Sequence, residues 1–398
     1  MSLPQPSPRR VYLDHAATTP VRPEVEAAMA PFFSGHFGNA SSLHSEGKKA
    51  REALEQARET IRVACGATDH DLHFISGGTE ANNAALVGVL LAAIEERRTA
   101  QATLRRTIVA SQVEHPSVLG ARPLVEALGG LWRDVAPEAS GRVDVAKLSD
   151  SIRDDALLLS LQWANNEVGV LQPVAEAVQL ARSRGVWIHS DAVQALGKLP
   201  IDLSTSAPDL VTISAHKVCG PKGIGGLFVR RGVPIQPLLR GGAQEGGLRA
   251  GTENVALSVG FARAVELAVA EREDTMARVG FLRERLLREI AERWPGAVVS
   301  SGETACLPTI VQVSFPWVEG ESLVKMLDWH GVAASTGSAC NAGARKPSHV
   351  LRAMGRSESE IRGSLRFSLG PSTIPADISL AIEALERSLK QLGELLPR

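Results

Sequence analysis

The chain has 398 residues, with Lys+Arg 43 against Asp+Glu 44, a formal net charge of −1, and 44% hydrophobic residues. The near balance of charge excludes the basic face of a dedicated nucleic-acid or membrane-surface binder, and the longest apolar run, Ala84 to Ile94, is too short to cross a bilayer. Length alone suggests two or three domains with a sizeable core.

The opening MSLPQPSPRR has two arginines but no apolar stretch after them, so it reads as a loose tail without a signal peptide. From about residue 70 short apolar runs alternate with helical periods. The expected strands are Leu72–Ile75, Thr107–Ala110, Leu157–Leu161, Val186–His189, Leu210–Ser214 and Gly226–Val229, and the expected helices between them include Glu80–Glu95 and Val174–Arg184. Strands separated by helices imply βαβ units and a mostly parallel sheet, in which ligands bind beyond the carboxyl ends of the strands. One long helix is expected over roughly 255–294, with Met276, Val279, Leu282, Leu286 and Ile290 on its apolar face. A strand near Leu365–Leu369 and a helix around Ala376–Leu392 close a smaller second domain.

Polar groups follow the expected strands where a crevice would lie. Gly77-Gly78-Thr79-Glu80 opens a helix, and free N–H groups with a threonine hydroxyl there make an anion site, although Thr79 would serve equally as a plain N-cap. Asp191, after the fourth expected strand, is a carboxylate that needs a cation or a protonated ring nitrogen, or else it caps a helix. Only nine lysines occur in the chain, and Lys217 in Ala215-His216-Lys217 stands just past an apolar strand, where partial desolvation would suit Schiff-base formation. An anion cradle, a carboxylate and such an amine are together what the phosphate, ring nitrogen and aldehyde of pyridoxal phosphate require. His115, in Glu114-His115-Pro116, reaches the same edge and could stack on the ring and shuttle protons, and the amides of Gln162, Asn165 and Asn166 could bond a ring hydroxyl or a substrate carboxylate. Arg366 on its strand suits a carboxylate clamp, or a buried ion pair.

Four cysteines occur, too few and too scattered for a disulfide framework, which favours a reducing, cytoplasmic setting. Cys340 stands among small residues in Gly337-Ser338-Ala339-Cys340-Asn341-Ala342-Gly343, an exposed setting that suits nucleophilic or redox use. Cys65 and Cys306 read as structural, and Cys219 is ambiguous. Cys65, His70 and His73 lie close together but lack a fourth ligand at zinc spacing, so no metal site is assigned.

Tyr12-Leu13-Asp14-His15-Ala16-Ala17-Thr18-Thr19-Pro20, Gly77-Gly78-Thr79-Glu80-Ala81-Asn82-Asn83, Ser214-Ala215-His216-Lys217 and Gly337-Ser338-Ala339-Cys340 resemble the cysteine desulfurases, the NifS/IscS-like branch of the fold-type-I pyridoxal-phosphate enzymes. The match runs in order from Tyr12 to about Gly370. It implies an α/β fold with a large cofactor domain (25–270), built on a mostly parallel seven-stranded sheet flanked by helices. It also implies a smaller α/β domain from both chain ends (1–24 and 271–398) that carries the cysteine loop, about 335–346.

The same resemblance implies the residue roles. Lys217 would hold the cofactor aldehyde and remove the α-proton, Asp191 would pair with the ring nitrogen, His115 would stack on the ring and Gln194 would contact its hydroxyl. Gly78, Thr79, Ser214 and His216 would bind the phosphate, with Thr252 contributed by the partner of a homodimer. Asn166, Arg366 and Asn39 would bind the substrate, L-cysteine. Cys340 would take its sulfur as a persulfide, releasing L-alanine and passing sulfur to an acceptor protein for iron–sulfur cluster assembly or tRNA thiolation. Nucleic acid and membrane are not expected partners. The alternatives are a selenocysteine lyase, an aminotransferase in which Cys340 is incidental, and a sulfur or iron–sulfur carrier without catalysis. The chain departs from the family at Ala40, where proline is usual in Asn-Pro-Ser-Ser, and at Cys219, where tyrosine or histidine is common. Gly246 stands in place of an arginine, and 341–346 lacks the usual Thr-Ser-rich, acidic stretch.

Overall fold

A computed structural model describes residues 9–99, 105–204, 207–300, 304–337 and 347–395. Among them the strands are β1 (Val11–Tyr12), β2 (His70–Ile75), β3 (Thr107–Ser111), β4 (Leu131–Val135), β5 (Ala156–Ser160), β6 (Trp187–Asp191), β7 (Leu210–Ser214), β8 (Gly225–Arg230), β9 (Val298–Val299), β10 (Ile310–Ser314), β11 (Val332–Ala333) and β12 (Ser364–Ser368). Seven of them form one sheet in the order β2-β8-β7-β6-β5-β3-β4. Only β8 runs against its neighbours, β2 and β7. The sheet is therefore mostly parallel, as expected, and the carboxyl ends of β2, β3, β5, β6 and β7 share one edge.

The central strands β3, β5 and β7 are buried at every position, because helices cover both faces, and continuous apolar runs are what such strands need. Strand β4 has no counterpart among the expected strands. Its run, Leu131-Trp132-Arg133-Asp134-Val135, carries two charges and is largely exposed, which only an edge position tolerates. The expected long helix is two helices, Val255–Ala270 and Arg272–Arg293. The chain turns at Glu271 (φ −95°, ψ 2°), whose carboxylate is tied to Arg22 at 2.7 Å. An apolar period cannot report such a break, since both halves keep a buried stripe.

A second core gathers Val11 and Leu13 with Val279, Leu282, Leu286, Ile290, Val313, Phe315, Phe367 and Leu385. It surrounds the antiparallel sheet β12-β10-β9 and the pair β1-β11. The N-terminal segment links the two cores. His15 N–H donates to the Ser368 carbonyl at 3.2 Å, Ala16 N–H donates to Ser368 Oγ at 2.8 Å, and Thr19 N–H donates to the His216 carbonyl at 3.0 Å. Among the described residues no helix is long and apolar enough to cross a membrane.

Candidate active site

The edge where the parallel strands end opens into a cavity of about 320 Å³. Its walls come from separate elements, each delivering one kind of group. From β2 the chain passes through Gly77 into the helix Gly78–Thr99, whose N-terminus lies at the cavity. The approach is close enough that a Cβ on Gly225 of β8 would meet Gly77 Cα at 2.8 Å. Thr79 lies inside the helix, past the capping position, and Glu80 reaches back to accept from Ser76 N–H at 2.8 Å. The plain capping role is thus not the one Thr79 has.

Asp191 is the last residue of β6, and its side chain lines the cavity. Its Oδ1 accepts from Val193 N–H at 2.9 Å and its Oδ2 from Asn82 Nδ2 at 2.7 Å. Behind it His189 is buried between Ser160 Oγ (2.9 Å) and Thr212 Oγ1 (3.0 Å), and burial pushes its imidazole down to about 4. His189 is therefore a neutral spacer rather than a counter-ion.

Lys217 sits in the 3₁₀ turn Ala215–Lys217 after β7. Its Nζ donates to the carbonyls of Ala16 and Ala17, each at 2.6 Å. His216 lines the same wall, its Nδ1 3.2 Å from Thr18 Oγ1. Burial first, then the charges of Lys217, Lys222 and Lys198, push it down to about 4. His115 follows β3 and is lowered chiefly by burial and then by Lys217 and His349, against the opposing pull of Asp191.

Arg366 enters from β12, its side chain 2% exposed. It donates to Asp14 Oδ1 at 2.8 Å and to the Asn166 carbonyl at 2.8 Å, while its buried Nε has no hydrogen-bond partner among the described residues. A buried ion pair is thus present, and so is a cavity-lining position.

Most residues expected at one site line this cavity: Gly78, Thr79, His115, Asn166, Asp191, Gln194, Ser214, His216, Lys217 and Arg366. Gln194 is already engaged there, its Nε2 donating to the Ala16 carbonyl at 2.9 Å and its Oε1 accepting from Lys198 Nζ at 3.2 Å. Gln162 also lines the cavity while its Nε2 donates to the Val113 carbonyl, and Asn165, outside the lining, braces the loops through the same carbonyl. Asn39 is exposed and holds its own turn through Ser41 N–H (2.8 Å). Thr252 is exposed and lines a different depression, beside Phe74 and Glu253. Neither reaches the cavity of its own chain. Cys340 lies outside the described residues, but Gly337, three residues before it, lines the cavity. Gly337, just before the segment 338–346, and Ser348, two residues after it, both lie against Glu167: a Cβ on Gly337 would stand 3.3 Å from its Oε2, and Ser348 Oγ donates to the same oxygen at 2.5 Å.

The structure adds one buried carboxyl that the sequence did not single out and settles the surroundings of Cys219, His70 and His73. Glu114 is fully buried; Gln162 N–H donates to its Oε1 at 2.6 Å, and its Oε2 has no hydrogen-bond partner among the described residues. Burial, with Asp191 adding to it, pushes this carboxyl up to about 8. A carboxyl held above its unfolded range of ~4.3 binds more protons folded than unfolded, so the fold loses stability as pH rises from ~4.3 toward ~8. Glu114→Gln is expected to remove that slope and raise Tm at pH 8 by several degrees relative to the wild type, with little change at pH 5. Thermal melts across pH check it. Cys219 is 7% exposed with φ 61°, and burial pushes its thiol up, opposite to the shift a nucleophile needs. Cys219→Ser is expected to leave sulfide release from cysteine within about twofold of the wild type; a loss of tenfold or more would make it a participant. His70 and His73 bond separate carbonyls, those of Pro208 and Glu245.

This donor set fits pyridoxal phosphate. A helix N-terminus with Thr79, Ser214 and His216 suits a dianion, the cradle at Gly78 is tight enough that a Cβ would stand 3.1 Å from Val193 Cγ2, and a carboxylate and an amine face the same space. Comparison with known proteins agrees. Residues 11–380 match the aminotransferase class-V family. A cysteine desulfurase IscS of Dictyoglomus turgidum is 41% identical over 98% of this chain and 97% of its own length. A cysteine desulfurase NifS of Azotobacter vinelandii is 39% identical over 97% of this chain and 94% of its own. Among solved structures, a NifS-like protein superposes with a TM-score of 0.88 at 34% identity, over 96% of this chain and all of that one. With this geometry and these likenesses, the chain belongs to the aminotransferase class-V family and, within it, to the pyridoxal-phosphate-dependent cysteine desulfurases of the NifS and IscS kind.

Proposed function

We propose that the cavity removes sulfur from L-cysteine, leaving L-alanine, and that Cys340 carries the sulfur away. The observation that carries this reading is the convergence of Lys217, Asp191, the N-terminus of the helix Gly78–Thr99 and Arg366 on one cavity whose rim includes Gly337. Pyridoxal phosphate, when bound, withdraws electrons from the α-carbon of an amino acid and so loosens both its proton and its β-substituent.

The chain's own residues do the rest. Gly78, Thr79, Ser214 and His216 would hold the phosphate, with Thr252 supplied by a second copy of the chain in a homodimer. Asp191 would face the ring nitrogen, His115 would stack on the ring, and Gln194 would meet the ring hydroxyl. Lys217 would hold the aldehyde, and its Nζ would take the α-proton of the substrate. Arg366 and Asn166 orient the substrate carboxylate. The Cys340 thiolate attacks the substrate sulfur, the carbon–sulfur bond breaks, and its electron pair stays with the carbon, which is protonated to the methyl group of alanine. The sulfur remains on Cys340 as a persulfide for a thiol-bearing acceptor protein. Three residues of chain reach at most about 11 Å, so the position of Gly337 supports delivery of Cys340 to the cavity. The two cores support a division into a cofactor domain (25–270) and a smaller domain from both ends (1–24 and 271–398). A catalytic thiolate that must stay reduced fits a cytoplasmic setting.

The test is to incubate the purified protein with cysteine and a thiol reductant and to measure alanine and sulfide. Cys340→Ser is expected to fall to about 1% of the wild-type rate with unchanged cofactor absorbance. Wild-type turnover in that variant would refute the persulfide route.

A further inference from the structure

Asn82 lies in the first turns of the helix Gly78–Thr99 and is 1% exposed. Its Nδ2 donates to Asp191 Oδ2 and to Ser117 Oγ, each at 2.7 Å. Its Oδ1 is buried with no hydrogen-bond partner among the described residues. Turning the amide over would set that oxygen against the carboxylate, so the two acceptors fix its orientation. A buried unpaired oxygen is costly, and an apolar side chain would fill the space without it. What only the amide supplies is a pair of N–H donors pointing in two directions.

Beyond Ser117 lies His115. Ser117 Oγ is 2.7 Å from His115 Nδ1, and Ser117 N–H donates to the same nitrogen at 3.1 Å. A nitrogen that faces a backbone N–H is an acceptor, so the neutral ring carries its proton on Nε2. The Ser117 hydroxyl receives the Asn82 N–H and therefore turns its own proton toward Nδ1. The line Asp191–Asn82–Ser117–His115 is continuous and runs along one wall of the cavity.

We propose that Asn82 is a positioning residue that joins the Asp191 carboxylate and the His115 imidazole into one hydrogen-bonded unit, aiming the first into the cavity and fixing the second as the neutral Nε2–H form. This rests on the reading of the cavity as a pyridoxal-phosphate site. The groups facing His115 include Asp191 at the end of β6, His216 and Lys217 in the turn after β7, and His349 of the helix His349–Ala353; Asp191 favours the charged ring, and Lys217 and His349 oppose it. Donation to Nδ1 favours the neutral ring. Taking that donor away moves the His115 titration upward.

The test uses full-length protein labelled with ¹⁵N in its histidines, with the His115 signals identified by their loss in His115→Gln. In the wild type His115 is expected to show an acceptor Nδ1 and a protonated Nε2 down to well below pH 6.5. Asn82→Ala should raise its midpoint by about half a pH unit or more, and weaken pyridoxal-phosphate binding to the apo-protein about tenfold. Ser117→Ala should raise the same midpoint while weakening the cofactor by less than about threefold, because the Asn82–Asp191 bond survives. If Asn82→Ala does not fold, Asn82→Ser, a shorter donor that cannot reach both acceptors, carries the same expectation. A His115 midpoint within 0.2 units and a cofactor affinity within twofold of the wild type in the Asn82 variant overturn the proposal. The histidine titration needs no substrate. A wild type that releases no alanine from cysteine would therefore sink the functional reading alone, and normal turnover with an unmoved His115 would sink only the role of Asn82.

Discussion

Lys217→Ala is expected to abolish release of alanine from cysteine, lowering kcat by about 10⁴-fold, the upper range for losing a positioned proton-transfer group, and to leave the protein without the absorbance of covalently held cofactor. The expectation rests on placement rather than on the residue type. The amine sits on a 3₁₀ turn fixed at both sides: β7 is buried at every position before it, and Thr19 clamps His216 through its backbone and its hydroxyl, at 3.0 and 2.8 Å. The amine itself rests on the Ala16 and Ala17 carbonyls, so the N-terminal segment sets where Nζ points. The phosphate-binding wall does not depend on Lys217, and the variant should still take up pyridoxal phosphate, more weakly and reversibly. Alanine assays with spectra of the reconstituted protein decide it. A variant that keeps more than about 1% of the rate would move the proton transfer to another group.

Arg366→Leu is expected to damage both stability and substrate binding. The guanidinium is buried and ties the Asp14 carboxylate of the N-terminal segment to the Asn166 carbonyl, while the backbone of Arg366 pairs with Ser335 at 3.1 and 2.6 Å. Removing one partner of a buried pair costs about 3–5 kcal/mol, because the other charge is left behind; Asp14 is 19% exposed, which places the loss near the lower end of that range. KM for cysteine should rise about 100-fold if the same fork meets the substrate carboxylate. Two further variants separate the roles. Arg366→Lys keeps a charge but not the planar fork, and should recover stability better than KM. Asp14→Asn should lower stability while changing KM much less. If Arg366→Leu and Asp14→Asn lose stability equally and both keep the wild-type KM, the arginine is an ion-pair partner only.

The parts of this site legible in the sequence are those set by local chemistry. A glycine pair before a helix, a carboxylate closing an apolar run and a lysine just past another are visible because parallel strands buried on both faces announce themselves as apolar runs, and the residues just past such a strand lie at the ligand edge. Asp191 and Lys217 are legible in this way even though the apolar run misplaces a strand end: β6 continues through Asp191 itself. Strand β4 and the break at Glu271 are not legible, since an edge strand can be charged and a helix break can keep its apolar stripe.

The sequence by itself determined the fold class, the family resemblance and the chemistry on offer, because each of these is carried by a contiguous motif or by strand periodicity. Only the tertiary structure decided which groups meet. Asp14 and Arg366 are 352 positions apart in the chain and 2.8 Å apart in space; Asn82 reaches Asp191 across 109 positions; Gln194 is bound to Ala16 across 178; and Asn39 and Thr252 lie away from the cavity of their own chain. A hydrogen bond requires its partners within about 3 Å and aligned. No pattern along the chain encodes that distance until the strands, helices and N-terminal segment are packed together.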